Sequence, residues 1–106
     1  MDARADYDAV VEDLVATSPS QPGVMFGMPC LKLENKAYAG LFIDSMVFKL
    51  TGSAHASALK LDGTSLFDPS GHGHPMKQWV QVPHRHHAQW PRLARTALEC
   101  LREAGV

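Results

Sequence analysis

Apolar and polar positions alternate with two periods along this chain. Tyr7, Val10, Val11, Leu14 and Val15 recur at helical spacing and predict one apolar stripe, with Asp6, Asp8, Glu12 and Asp13 on the solvated face. Two prolines and a glycine within residues 17–23 end that helix. The period then changes to two. Residues 30–34 alternate, with Leu31 and Leu33 against Lys32 and Glu34. Residues 37–43 are apolar on both faces, and Met46, Phe48 and Leu50 share one face of a third strand. Asn35-Lys36 and Asp44-Ser45 read as tight turns, so the three strands form an antiparallel meander.

A short helix over residues 53–60 follows, capped by Ser53, with Ala56 and Leu59 facing inward. Residues 65–67 read as a short strand and residues 68–75 as a loop rich in glycine and proline. In the last strand, residues 76–82, Met76, Val80 and Val82 share a face with Gln78, and Lys77, Trp79 and Gln81 share the other. Trp90, Leu93, Ala94, Ala97, Leu98 and Leu101 form the stripe of a final helix, with Pro91 in its first turn and Gly105 as its stop. The expected fold class is α+β: two layers, helices on an antiparallel sheet, in the order α-βββ-α-ββ-α.

Length adds that residues 1–106 make a single domain. Ten basic and eleven acidic side chains give a formal charge of −1, without the basic excess that phosphate contacts require, so nucleic acid is not an expected partner. The acidic N-terminus does not read as a signal peptide and no apolar run spans a bilayer, which places the chain in the cytoplasm. Cys30 and Cys100, seventy positions apart, read as buried, reduced thiols.

The segment Met25-Phe26-Gly27-Met28-Pro29-Cys30-Leu31-Lys32 resembles the opening of the N-terminal domain of TfoX/Sxy-type proteins, in particular short stand-alone members. The likeness continues through Ala39-Gly40-Leu41-Phe42, Val47-Phe48-Lys49-Leu50 and Phe67-Asp68-Pro69. It ends with Pro75-Met76-Lys77-Gln78-Trp79-Val80-Gln81-Val82-Pro83. The resemblance implies the same element order and a link to regulators of natural competence, in which this domain is an interaction module. The long regulators carry a second, helical domain after it, which does not follow here, so the fold transfers more firmly than the biology. The resemblance supplies no catalytic residues.

Chemistry is sparse. Met25, Phe26, Gly27 and Met28 read as a core edge or as one wall of a groove, with Lys49, Lys77 and Trp79 as the opposite wall. Trp79 either packs beneath a helix or lies open to a ligand. The helix roof is the expectation, because large residues are few. His72 and His74 flank a glycine, and His84, His86 and His87 follow the last strand. A strand of roughly 20 Å separates the two sets, so they read as surface histidines rather than one metal site. Cys30 falls on the polar face of its strand and Cys100 near the edge of the last helical stripe, neither beside a base. Arg92, Arg95 and Arg102 read as a solvated helix face interrupted by Glu99 and Glu103. No cofactor and no enzymatic activity are expected. The functional expectation is a regulatory interaction domain that binds a protein partner or a second copy; the alternative is a small-ligand or metal-binding module.

Overall fold

The computed structural model describes residues 2–105. It contains α1 (Ala3–Thr17), β1 (Gln21–Met25), β2 (Met28–Leu33), β3 (Lys36–Phe42), β4 (Ser45–Lys49), α2 (Gly52–Leu59), β5 (Ser65–Phe67), β6 (Met76–Pro83) and α3 (Trp90–Glu103), with a 3₁₀ turn over His84–Gln89. The α+β class and the expected order are present. The strands form one six-stranded sheet, β1-β2-β3-β4-β6-β5, antiparallel at every junction.

One strand, β1, lies in the stretch that composition reads as a helix stop and loop. Pro22 and Gly23 hide it, since neither favours a strand, yet an edge strand tolerates both because its outer side needs no ladder bonds. The other edge, β5, is three residues long.

α1 and α3 pack on one face of the sheet. Tyr7, Val10 and Leu14 meet Trp90, Leu93, Ala97 and Leu98 over Leu31, Leu41, Met46, Phe48, Val80 and Val82. Val15, expected on the stripe, is exposed. On α2 the N-cap is Thr51 rather than Ser53, and Ala58 is buried with Ala54 and Leu59 packed against the core, while Ala56, on the opposite side of the helix, is exposed. Asp2 caps α1 by accepting from the Ala5 N–H at 2.8 Å.

A bulge in β3 sends two successive side chains to the helical side. The β2 register passes from Leu31↔Ala39 to Lys32↔Ala37, and the extra residue, Tyr38, joins Ala39 in the main core. Its hydroxyl lies 2.6 Å from Ser20 Oγ, Ser20 Oγ lies 2.7 Å from Ser18 Oγ, and Ser18 donates to the Leu14 carbonyl. This hydroxyl chain ties the end of α1 to the sheet and satisfies polar groups that would otherwise be buried unpaired. Burial pushes the Tyr38 phenol above its ordinary range.

Candidate functional site

The other face of the sheet carries no helix. Alternation from the paired residues Gly40↔Val47 and Lys49↔Trp79 places Met28, Val47, Phe67 and Trp79 there as a second cluster, fringed by half-buried Met25, Ala37, Phe42 and Met76. Two glycines make room for it. A Cβ on Gly40 would stand 2.8 Å from Met28 Cε, and one on Gly23 would stand 3.0 Å from Lys32 Cε. The Met28 methyl and the Lys32 stem therefore lie directly over the glycine backbone. The Phe42 and Phe67 rings meet edge to face at 5.1 Å, reaching across β4 and β6, and Val47 is fully buried.

Trp79 is 6% exposed, so it is core as expected, but strand side chains and not a helix enclose it. Met76 also departs from the simple alternation. The β5–β6 register jumps from Leu66↔Val80 to Phe67↔Met76, and this irregularity turns Met76 toward Trp79 instead of toward Val80 and Val82. The proposed two walls thus meet as one surface: Met28 and Trp79 form its floor, and Met25, Lys49 and Lys77 border it.

At one end of this face project two hairpin tips. Antiparallel connectivity puts the β1–β2 and β3–β4 turns on the same side, about 10 Å apart across two strand spacings. Phe26 occupies the first with φ 51°, followed by Gly27 at φ 73°. Ile43 occupies the second with φ 57°. Phe26 is 64% exposed and Ile43 is 80% exposed. Ile43 is thus a turn residue rather than the end of the preceding strand, and the turn is Ile43-Asp44. Left-handed backbone is costly for a β-branched residue, and glycine or asparagine ordinarily fills it.

The histidines of the 3₁₀ turn serve the scaffold. His84 Nε2 bonds the Asp6 carboxylate, whose side chain is only 10% exposed, and His87 Nδ1 lies 3.7 Å from the same oxygen. The bond from His84 holds the Asp6 carboxyl below its ordinary range, against desolvation acting the other way. Asp6, expected on the solvated face, instead ties α1 to the 3₁₀ turn, a pairing over seventy-eight positions that no local pattern could reveal. His86 Nε2 lies 2.7 Å from the Asp62 carbonyl oxygen. His72 and His74 are exposed in a loop organised by Asp68, whose carboxylate accepts from Ser70, Gly71, Gly73 and His74. Among the described residues, no three His, Cys, Asp or Glu side chains are arranged to hold a metal ion.

Both cysteines are free. Cys30 shares the face of Lys32 as alternation requires, but it is completely buried beside Gly40, and desolvation raises its thiol pKa. Arg95 pairs with Asp13 across the helices at 2.8 Å, Arg102 pairs with Glu99 at 3.2 Å, and Arg92 donates to Gln89. Open clefts of about 190, 310 and 350 Å³ lie between α2 and α3, between α1 and β1, and between α1 and α3. None is lined by the methionine segment, Trp79 or the histidines. No described helix is long and apolar enough to cross a membrane. No family model, curated protein or solved structure was found to match the chain.

Proposed function

We propose that this chain is a non-enzymatic interaction domain of the TfoX N-terminal type, regulatory rather than catalytic, which engages a protein partner through the helix-free face and its two hairpin tips. The observation that carries this reading is Ile43. It is a β-branched apolar residue in left-handed backbone, 80% exposed, at a turn where asparagine would be easier in both respects. Local stability is sacrificed there, and strain of that kind concentrates where recognition needs a particular side chain. Phe26, with φ 51° on the neighbouring tip, repeats the combination. Large aromatic and branched anchors around adaptable methionines are a suitable surface for a polypeptide.

Photo-crosslinking tests the reading. Benzoylphenylalanine in place of Phe26 or Ile43, in cells producing the full chain, should yield discrete adducts. The same group at the exposed helical positions Glu12 and Glu103 should yield none. Ile43→Asn should raise unfolding stability by about 1 kcal/mol, through relief of the left-handed backbone, while removing the adduct formed from position 26. Adducts equal at all four positions, or at none, would defeat the proposal.

A further inference from the structure

Charge is segregated between the two layers of this domain. The charged residues of the six strands are Lys32, Lys36, Lys49 and Lys77; no strand contains an acid, an arginine or a histidine. The arginines lie on α1, α3 and the 3₁₀ turn, and Arg4, Arg85, Arg95 and Arg102 each pair with a carboxylate. Among the described residues no lysine takes part in an ion pair. On the helical side four of the five arginines pair with carboxylates, whereas the strand lysines form no ion pair among the described residues.

Those cations border the helix-free face. Lys32 lays its stem over Gly23, Lys49 stands beside Trp79 in the ladder, and Lys77 is exposed two residues before Trp79. The acids around the sheet sit in its turns and loops. Glu34 lies at the β2–β3 turn and Asp44 at the tip beside Ile43. Asp68 has its carboxylate occupied by its own loop, which holds it below the ordinary range.

Resting on the interaction reading above, we infer that the partner is a polypeptide segment that sets acidic side chains against Lys32, Lys49 and Lys77 while an apolar side chain packs among Met25, Phe42 and Phe26. A second copy laid with matching strand ends together would oppose lysine to lysine, whereas an acidic segment complements all three lysines. Strand addition is disfavoured at both edges, by Pro22 and Gly23 in β1 and by the shortness of β5. A single-stranded nucleic acid needs a row of open aromatic platforms, whereas on this face Phe67 and Trp79 are buried, Phe42 is half-buried and Phe26 stands alone at the tip. The segment therefore lies across the face.

Two fluorescent model peptides test this on the full chain, alike in leucine and phenylalanine and differing in glutamate or lysine as the polar residue. The acidic peptide should bind roughly tenfold tighter at low salt, and the preference should shrink as salt screens it. It should protect amides of Met28, Phe42 and Val47 from exchange. Replacing the three lysines by glutamine should abolish the preference, and replacing them by glutamate should reverse it. Equal binding of both peptides at this face would overturn the acidic partner and leave the interaction surface standing. Protection elsewhere on the molecule would overturn both. A dimer in solution that protects the same amides, or displacement of the acidic peptide by a single-stranded oligonucleotide, would replace the inferred occupant with another.

Discussion

The two faces of the sheet bury apolar surface by different means. On the helical face, α1 and α3 supply whole stripes, and tertiary ties such as Asp6–His84 and Arg95–Asp13 join elements within the helical layer. On the other face the strands cover themselves. Phe42 reaches to Phe67, Met28 folds over Gly40, and Lys32 lies along Gly23. A helical layer closes its core on both sides, whereas the self-covered sheet leaves Met25, Phe42 and Met76 half-buried at its boundary with water. That boundary is where a partner would gain apolar area without first displacing a secondary element.

The largest expected effect compares the two tryptophans. Trp90 is fully buried between layers and Trp79 is nearly so on the helix-free face. Both truncations to alanine belong to the class costing about 3–5 kcal/mol, with Trp90→Ala at the upper end and Trp79→Ala at the lower, where neighbours can relax toward solvent. Denaturant melts of the two variants measure the difference. A Trp79→Ala protein as stable as the parent would mean that the second cluster is decoration, and the contrast between the faces would collapse.

A smaller effect sharpens how the helix-free face is built. Gly40→Ala places a methyl group 2.8 Å from Met28 Cε and 3.0 Å from the Pro29 carbonyl oxygen. The methionine can swing away and the carbonyl cannot, so a cost of about 1–3 kcal/mol is expected. In a Met28→Ala background the added cost should fall but not vanish. A cost that disappears entirely would show that the strand backbone yields and that the face is softer than described.

Much of this fold is legible in the sequence because its main core is periodic. The stripes of α1 and α3 and the alternation around Leu31, Phe48 and Val80 can be read residue by residue, and they fix the element order. The helix-free face is harder to read. β1 is hidden by Pro22 and Gly23, Tyr38 and Met76 change sides at irregularities, and Ile43 passes for a strand residue because it is apolar. Local composition does not encode register shifts, since one displaced residue reverses every later side chain. The methionine segment and Trp79 could be singled out as unusual, but only pairing through β4 and β6 brings them onto one surface. The lysines are legible as residues; that none forms an ion pair among the described residues depends on where the acids fold.

The smallest effect concerns the tie that holds the helical layer, and it is lost in acid. Asp6 sits at the start of α1 with His84 bonded to its carboxylate and His87 close by. The hydrogen bond from His84 depresses the folded-state pKa of Asp6. The unfolded chain therefore binds the proton more readily, and the contribution of Asp6 is complete above the ordinary carboxylate value of about 4. It is lost as pH falls through the lower, folded value. Asp6→Asn removes that titration, so its melting temperature should be lower than the parent's at neutral pH and should approach the parent's in strong acid. Asp68, also depressed but bonded within its own loop, titrates in both proteins and should not distinguish them. Thermal melts from neutral pH to below pH 3 read the difference directly. Parallel curves would show that the His84 contact contributes nothing to holding α1. They would also mean that the helical layer owes its firmness to apolar packing alone, differing from the opposite face in amount of cover rather than in kind.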